Sequence, residues 1–190
     1  MQTAMRPPYC LTLVIATPSQ KCYGVAMTRH LITAKADADQ TWVNGVLRDC
    51  WGGPMIALRG QCIDAARLPA LIGWIDDSRC GLATFQIDQG AIELVTLNSL
   101  EPKLGLGTQL LEAVAVEGRK AGCKRAVLVT TNDNLDALGF YQRRGWKLSG
   151  LTIGGADIAR RLKPSIPMKA DNGIPIRDEI ELSFHLSGRG

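Results

Sequence analysis

Residues 105–115 read GLGTQLLEAVA, and residues 125–131 read RAVLVTT. The first stretch begins with two glycines and continues with apolar residues at helical spacing, which predicts a glycine-rich turn that leads into an amphipathic helix. The second stretch is almost continuously apolar, as in a strand that is buried on both faces. Together with the apolar residues 91–97, these stretches form a strand, helix, strand unit, whose two strands are parallel.

The chain before this unit has the pattern of an antiparallel meander. Short apolar stretches are separated by Asp-Asp-Ser and Asp-Gln-Gly, which are turn sequences. The meander strands are predicted at residues 71–75, 81–87 and 91–97. Elsewhere we predict strands at 31–34, 55–58, 146–153 and 178–186, and helices from Asp37 or Asp39 to Cys50, at 134–144 and at 156–162.

The composition favours a globular protein with one full domain. Of 190 residues, 46% are hydrophobic and 21% are charged, and 22 Lys and Arg against 18 Asp and Glu give a net charge of +4. This mild excess and the 5% aromatic content argue against a nucleic-acid partner. The charge suits a small anionic ligand, and it equally suits solubility alone. No apolar run approaches the ~18–20 residues of a membrane span, so we expect no membrane partner.

The cysteine and histidine pattern predicts no metal site. The six cysteines have no C-x-x-C spacing, and the two histidines, His30 and His185, are far apart in the sequence. Scattered cysteines of this kind are typical of a reducing compartment, so we expect a cytoplasmic protein.

The first 26 residues differ from the remainder of the chain. They contain Arg6 and Lys21 but no acidic residue, and prolines precede their short apolar run, which argues against a signal peptide. We expect residues 1–26 to be a poorly ordered N-terminal extension, as a misassigned start codon would produce. Residues 27–190 are then predicted to form a single domain.

The glycine-rich turn is a candidate anion site. Glycines at a helix start let a phosphate approach the backbone, and the N–H groups and dipole of the helix N-terminus hold the anion. Gly-x-Gly alone is weak support in a chain with 20 glycines. The turn lacks the Gly-Lys-Ser/Thr ending of a P-loop, and Leu110 replaces the third glycine of the dinucleotide-binding fingerprint.

A second motif lies after the buried strand. Residues 134–146 read NLDALGFYQRRGW, which by itself predicts a capped amphipathic helix that ends at a glycine. Together, the turn Gly105-x-Gly107 and this stretch, with its Asn, Ala, Phe-Tyr and Gly-Trp spacing, resemble the GNAT superfamily of acetyl-CoA-dependent N-acetyltransferases over about residues 28–186. The chain also resembles a mostly uncharacterised bacterial group of that superfamily. The motifs that carry this resemblance are LNSLEP at 97–102, TTNDN at 130–134, RLKP at 161–164 and GIPIRDE at 173–179.

The resemblance implies a fold, a cosubstrate and a reaction. The fold is α/β (α+β), with a mixed sheet of six to seven strands, an antiparallel N-terminal meander, a central parallel pair and flanking helices. The parallel strands splay apart, and the pantetheine arm of acetyl-CoA lies between them. The acetyl group passes directly to a primary amine of a small molecule or peptide through a tetrahedral intermediate, without a metal. Dimers are frequent in this fold, which leaves a homodimer open.

The resemblance also implies roles for individual residues. Tyr141 is the candidate general acid for the departing thiolate. Glu93 is the candidate general base, because strand alternation would put it on the face of Val95 and Leu97; an ordinary solvent-facing Glu is equally consistent with its pattern. Asn134 is a pantetheine contact, a helix N-cap, or both. The cofactor-binding residues implied are Leu97, Asn98, Lys103, Leu104, Gly105, Leu106, Gly107, Thr108, Asn134 and Tyr141.

One residue departs from the family pattern. Pro102 stands where superfamily members usually carry Gln or Arg, three residues before the first glycine. The pyrophosphate would then depend on Lys103 and on backbone N–H groups of residues 104–108. This departure keeps an alternative open, in which the chain is a non-catalytic acyl-CoA-binding or regulatory module.

The acceptor site is expected in the long connection at residues 154–177, because connections of this length are usually functional. Two interpretations of its charged residues are open: they bind a carboxylate of the acceptor, or they only solvate a helix. Trp42 and Trp51 form an apolar wall of the site or belong to the core. The charged residues in question are Arg160, Arg161, Lys163, Arg177 and Asp178.

Overall fold

The computed structural model describes residues 29–101 and 104–186. The predicted extension at 1–26, together with Pro102 and Lys103, lies outside them. The helices are α1 Gln40–Trp51, α2 Leu106–Lys120, α3 Leu135–Gln142 and α4 Gly155–Leu162. The strands are β1 His30–Ala34, β2 Met55–Leu58, β3 Gln61–Asp64, β4 Ala70–Ile75, β5 Ser78–Asp88, β6 Ala91–Ser99, β7 Arg125–Thr131, β8 Lys147–Thr152 and β9 Glu179–His185.

Seven strands form one mixed sheet in the order β1-β4-β5-β6-β7-β9-β8. Strands β4, β5 and β6 are consecutive antiparallel neighbours, and β6 pairs with β7 in parallel. The predicted fold class, meander and parallel pair are therefore confirmed. The parallel pair lies at the centre of the sheet because the α2 crossover returns the chain to the edge that β6 left free.

Strand β3 was missed by the sequence analysis. It forms a hairpin with β2 outside the main sheet, and its turn is Arg59-Gly60. Both turn residues have positive φ angles, 50° and 70°, as the tight turn of a two-residue hairpin requires. An arginine in the first of these positions is not a turn signal, and the four residues of β3 are too few for a clear alternation.

Two hydrophobic clusters cover the two faces of the sheet. On one face, called the α2 face, α2 and α3 pack on residues that include Leu94, Leu97 and Tyr141. On the other, called the α1 face, α1 and the β2–β3 hairpin pack on residues that include Ile72 and Val95. The sheet is therefore buried on both sides at its centre, which explains the nearly continuous apolar sequence of β7.

A β-bulge in β6 corrects one of the predictions. Leu94 pairs with Phe85 and Thr96 pairs with Thr84, so Val95 is an extra residue opposite β5. The bulge shifts the alternation by one residue beyond this point. Val95 packs on the α1 face, whereas Leu97 packs on the α2 face. The prediction that Leu97 shares a face with Glu93 and Val95 is therefore wrong.

Candidate active site

The parallel strands β6 and β7 separate halfway along their length. Their pairing ends at Leu94 and Leu128, although β6 continues to Ser99 and β7 to Thr131. Beyond that point β6 stays paired with β5, and β7 stays paired with β9. A gap lined by strand backbone therefore opens in the middle of the sheet, and it suits a ligand that is extended and carries amide groups.

The backbone of β6 determines which N–H groups face this gap. The N–H of Leu100 donates to the carbonyl oxygen of Cys80 on β5, at 2.8 Å. Because hydrogen bonding alternates along a strand, the N–H of Asn98 also points to β5, and that of Leu97 points to the gap. The side chain of Asn98 accepts a hydrogen bond from Trp51 Nε1, at 3.0 Å. Of the two residues predicted near the thioester, Leu97 is the one that presents an N–H group to the gap.

The glycine-rich turn lies at the start of α2, as predicted. Gly105 has φ 81° and open space where a side chain would stand. The N–H groups of Thr108 and Gln109 donate to the Gly105 carbonyl oxygen. Those of Leu106 and Gly107, in the first turn, have no acceptor within the helix, and a bound anion would provide one. The side chain of Leu106 is buried in the core, so this residue offers only its backbone.

Arg144 adds a positive charge to this turn, and the sequence analysis missed it. Its Nε and Nη2 atoms donate to Thr108 Oγ1, at 2.8 and 2.6 Å, and its guanidinium lies over the Phe140 ring. Burial lowers the pKa of Arg144, with a smaller contribution from the charge of neighbouring Arg143. Arg144 is partly buried, and a cation beside a helix N-terminus is unfavourable until an anion arrives, because both carry positive charge. The sequence feature that could have indicated this cation is the pair of consecutive arginines at 143 and 144, which follows Tyr141 and Gln142.

We expect the substitution Arg144→Gln to raise the Kd for acetyl-CoA about tenfold, because a hydrogen bond to a charged group is lost. Arg119→Gln is the matched control, since Arg119 lies in the last turn of α2, at the end of the helix opposite to the glycine-rich turn. Isothermal titration calorimetry of both variants measures the difference. An equal Kd for the two variants would contradict the placement of the anion at this turn.

Polar atoms without partners collect at the end of β7. Among the described residues, Thr130 Oγ1 and Asp133 Oδ1 are buried and make no hydrogen bond. Asn134 caps α3, because its Oδ1 accepts a hydrogen bond from the Ala137 N–H at 3.3 Å. This is one of the two roles considered for Asn134. Buried polar atoms usually have partners, so these two indicate a place for a polar ligand at the gap.

Tyr141 lies on the α2 face, in the same cluster as Leu97. It is 2% exposed and packs edge-on against Phe140 and beside Trp146. Burial raises the pKa of its hydroxyl above its ordinary value. The group is therefore protonated at neutral pH, as a general acid requires.

Glu93 lies on the α1 face of the same sheet. It is 9% exposed, and its Oε2 accepts a hydrogen bond from Gln86 Nε2 at 2.8 Å. Its Oε1 is buried without a hydrogen bond, 3.4 Å from Arg59 Nη2. Glu93 and Tyr141 therefore lie on opposite faces of the sheet, and Glu93 pairs with Val127 in the part of β6 just before the gap.

Two cations of the long connection before β9, Arg160 and Lys163, make contacts that hold the structure together. Arg160 donates to Pro167 O at 3.0 Å and also to Ile176 O. Lys163 Nζ donates to the carbonyl oxygens of Trp51 and Met55, at 2.6 and 2.8 Å, and burial lowers the pKa of Lys163. These two side chains hold α4 against its neighbours.

Four other residues of the predicted acceptor region also have contacts in the structure. Arg177 is paired with Asp178 at 2.9 Å. Trp42 and Trp51 are partly buried against the α1-face cluster, and the indole of Trp51 positions Asn98. Within residues 29–101 and 104–186, no three His, Cys, Asp or Glu side chains converge as for a metal ion. The same residues contain no helix with the length and apolarity of a membrane span.

Similarity in sequence identifies the family. The model of the acetyltransferase (GNAT) family matches residues 40–146. The uncharacterised protein YxbD of Bacillus subtilis is 38% identical over 141 residues, which are 74% of this chain and 89% of that protein. The chain belongs to the GNAT acetyltransferase family, as its motifs predicted.

Solved structures agree at the level of the fold. The ribosomal-protein-S18-alanine N-acetyltransferase from Escherichia coli has a TM-score of 0.60 at 16% identity, over 85% of this chain and 97% of that one. A GNAT family acetyltransferase from Elizabethkingia anophelis with acetyl-CoA bound has a TM-score of 0.57 at 17% identity, over 82% of this chain and 97% of that one.

Proposed function

We propose that this chain is an N-acetyltransferase, which moves the acetyl group of acetyl-CoA directly to a primary amine of a small molecule or peptide through a tetrahedral intermediate. The observation that carries the proposal is the gap between β6 and β7, which opens beside the N-terminus of α2. One end of this arrangement suits an extended amide-bearing arm and the other suits a phosphate group.

The residues at the gap fit acetyl-CoA. The open space at Gly105, the N–H groups of Leu106 and Gly107, and the guanidinium of Arg144 form the proposed pyrophosphate site. The buried oxygens Thr130 Oγ1 and Asp133 Oδ1 are the proposed partners of the pantetheine arm. Arg144 supplies a charge that the family usually carries at the position of Pro102. Lys103 remains a proposed contact.

The proposed chemistry assigns one task to each residue. Bound acetyl-CoA would supply the acetyl group as a thioester that is activated for attack. The amine forms the C–N bond, the C–S bond breaks, and the Leu97 N–H stabilises the negative charge on the carbonyl oxygen, worth about 3–4 kcal/mol for such a donor. Glu93 takes the proton from the amine, and Tyr141 gives its proton to the departing thiolate.

The positions of Glu93 and Leu97 require water between the amine and the base. Four residues of strand separate them, or about 13 Å at the usual rise of about 3.3 Å per residue. A Glu side chain cannot cover that distance, so the proton passes through one or more water molecules. Tyr141 acts in a dry environment, where burial raises the pKa of a thiolate as well as that of the tyrosine.

Thermal unfolding with acetyl-CoA, desulfo-CoA or ATP tests whether the site holds the cosubstrate. A ligand at about 100 times its Kd stabilises by about 2.7 kcal/mol, which corresponds to roughly 5–11 °C for a domain of this size. We expect this increase in Tm with acetyl-CoA and desulfo-CoA but not with ATP. No increase at millimolar acetyl-CoA would contradict the proposal. Stabilisation without transfer to any amine would favour the non-catalytic acyl-CoA-binding module.

A further inference from the structure

The side chain of Asn98 lies at the border of the gap and is oriented by a tryptophan. Asn98 is on β6, beyond the last β6–β7 pair at Leu94 and Leu128. Its Oδ1 accepts a hydrogen bond from Trp51 Nε1 at 3.0 Å. Because an indole N–H can only donate, this bond turns the amide oxygen toward Trp51 and the NH₂ group away from it. Asn98 is 4% exposed, so its surroundings also hold it in place.

Trp51 is itself held by a second element. Lys163, the residue after α4, donates from Nζ to the carbonyl oxygens of Trp51 and Met55, at 2.6 and 2.8 Å. Trp51 is the last residue of α1, and a cation is favourable beside the carbonyl groups of a helix C-terminus. The chain of contacts from Lys163 through Trp51 to Asn98 therefore connects α4 and α1 with β6, and the fold determines how the Asn98 amide is oriented.

The NH₂ group of Asn98 is available to a ligand. Among the described residues, the hydrogen bond of this side chain is the one that Oδ1 makes to Trp51, and Nδ2 has no acceptor. The buried side-chain atoms without a partner are Glu93 Oε1, Thr130 Oγ1 and Asp133 Oδ1. Nδ2 is not one of them, so it borders open space. An oxygen atom of a ligand in that space would complete the hydrogen bonding of the amide.

The Asn98 amide lies on the face of the sheet from which the acceptor arrives. Trp51 packs on the α1-face cluster, so the side chain that it contacts is on this face. Glu93, the proposed base, is on the same face, whereas Tyr141, the proposed acid, is on the α2 face. An amine that loses its proton toward Glu93, while the thiolate leaves toward Tyr141, approaches from the α1 face.

The backbone places the reacting atoms beside this amide. Leu97 precedes Asn98 in the chain, and its N–H is the proposed donor to the acyl carbonyl oxygen. Consecutive Cα atoms are about 3.8 Å apart. An amine that attacks this carbonyl group from the α1 face therefore has the Asn98 NH₂ group beside it. Because an NH₂ group of this kind can only donate, it suits an oxygen atom of the acceptor that is close to the amine.

The contacts of this region favour an uncharged oxygen over a carboxylate. The cations expected to bind a carboxylate have other partners: Arg160 and Lys163 hold α4 against its neighbours, and Arg177 is paired with Asp178. The Asn98 amide carries no charge, and a carboxylate beside it would lose water without gaining an opposite charge. A carbonyl oxygen needs only the hydrogen bond that the amide offers. A carboxylate-bearing acceptor, which the sequence left open, therefore has less support.

We propose that the acceptor is an α-amino amide, such as the N-terminus of a peptide, whose carbonyl oxygen accepts a hydrogen bond from Asn98 Nδ2. This inference rests on the proposed function and names its substrate class. The α-amine forms the new C–N bond with the acetyl carbon, and the C–S bond breaks. The amine proton leaves through water toward Glu93, and Tyr141 protonates the thiolate. Trp51 is a positioning residue, because it contacts Asn98 and not the acceptor.

Glycinamide and n-propylamine test the proposal, because they have similar lengths and only glycinamide has the carbonyl oxygen. Both are assayed with the full chain at saturating acetyl-CoA. Asn98→Asp replaces the NH₂ group by an oxygen and keeps an acceptor for the Trp51 indole. Each amine is compared between the native chain and the variant, so that the different basicities of the two amines cancel. We expect kcat/KM to fall about tenfold more for glycinamide than for n-propylamine.

Two further variants make this result decisive. Asn44→Asp is the matched control, since it makes the same change on the exposed surface of α1 and should alter neither amine. Asn98→Ala removes the amide altogether and should show the same selective loss, which covers the case in which Asn98→Asp does not fold. Equal losses for the two amines in the Asn98 variants would overturn the proposal. So would a raised Kd for desulfo-CoA without a selective loss.

Trp51→Phe tests the positioning role, because it keeps an aromatic ring at the end of α1 and removes the indole N–H. We expect this variant to raise KM for glycinamide severalfold more than KM for n-propylamine. Combined with Asn98→Asp, it should cause no further selective loss, since both changes act through the same NH₂ group. Losses that multiply in the double variant would refute the positioning of Asn98 by Trp51.

A binding measurement separates this inference from the proposed function. An NMR titration of glycinamide into protein saturated with desulfo-CoA does not depend on acetyl transfer. If no amine is acetylated but glycinamide binds and Asn98→Asp weakens the binding, the Asn98 site stands and the proposed function fails. If amines are acetylated but neither binding nor turnover of glycinamide depends on Asn98, the proposed function stands and the Asn98 site is refuted.

Discussion

Replacing Tyr141 by Phe is expected to lower kcat by ~10²–10⁴, the usual contribution of a general acid. The ring stays buried against Phe140 and Trp146, and only the hydroxyl oxygen is removed. Since burial is the cause of the raised pKa, the substitution removes a desolvated polar group and leaves the apolar packing in place. Steady-state and single-turnover assays with acetyl-CoA measure the loss.

Two controls distinguish a chemical from a structural effect of this substitution. The Kd for acetyl-CoA and the Tm of the variant should stay close to those of the native chain. A loss in kcat of less than threefold would remove Tyr141 from the mechanism. In the native chain the raised pKa also predicts that the acid remains protonated, and kcat stays high, up to a pH above the ordinary tyrosine value of about 10.

Replacing Glu93 by Gln is expected to lower kcat/KM by ~10²–10⁴ at neutral pH, because the base that accepts the amine proton is lost. An amine similar to that of lysine has a pKa of about 10.4, so almost all of it is protonated at pH 7. As the pH rises, the neutral amine becomes abundant and the base is needed less. The ratio of native to variant activity should therefore fall steadily between pH 7 and about pH 10.

The matched control for this prediction is Glu181→Gln, which removes the charge of another carboxylate that is paired with Arg59. Glu93 is on β6, the strand that carries Leu97, whereas Glu181 is on β9. For the Glu181 variant, the ratio of native to variant activity should therefore not fall as the pH rises. Activity of the Glu93 variant equal to that of the native chain from pH 6 to 9 would exclude Glu93 as the base.

Local sequence predicted the elements of the site well. The glycine turn, the start of α2 and the bounds of β7 were predicted as observed, because their signals are hydrophobic periodicity, helix capping and turn chemistry within a few residues. The antiparallel meander followed from the same kind of signal. The hairpin strand β3 was missed because its four residues show no clear alternation and its turn begins with an arginine.

The bulge at Val95 could not be predicted from the local sequence. Nothing in residues 91–99 distinguishes a regular strand from one with an extra residue, since every position from Ala91 to Asn98 is buried. The shift depends on the pairing of Thr84 with Thr96, whose side chains share a hydrogen bond of 2.7 Å. A contact with another strand therefore turned Leu97 away from the face predicted for it.

The sequence by itself determined the family, the parallel unit and the turn that can receive a phosphate, because each depends on residues that are near one another in the chain. Only the tertiary structure brought Arg144 to Thr108, and Arg59 to Glu93, Glu179 and Glu181. These contacts join segments that are 34 to 122 residues apart. Their formation depends on strand order, register and helix packing, which local periodicity does not encode.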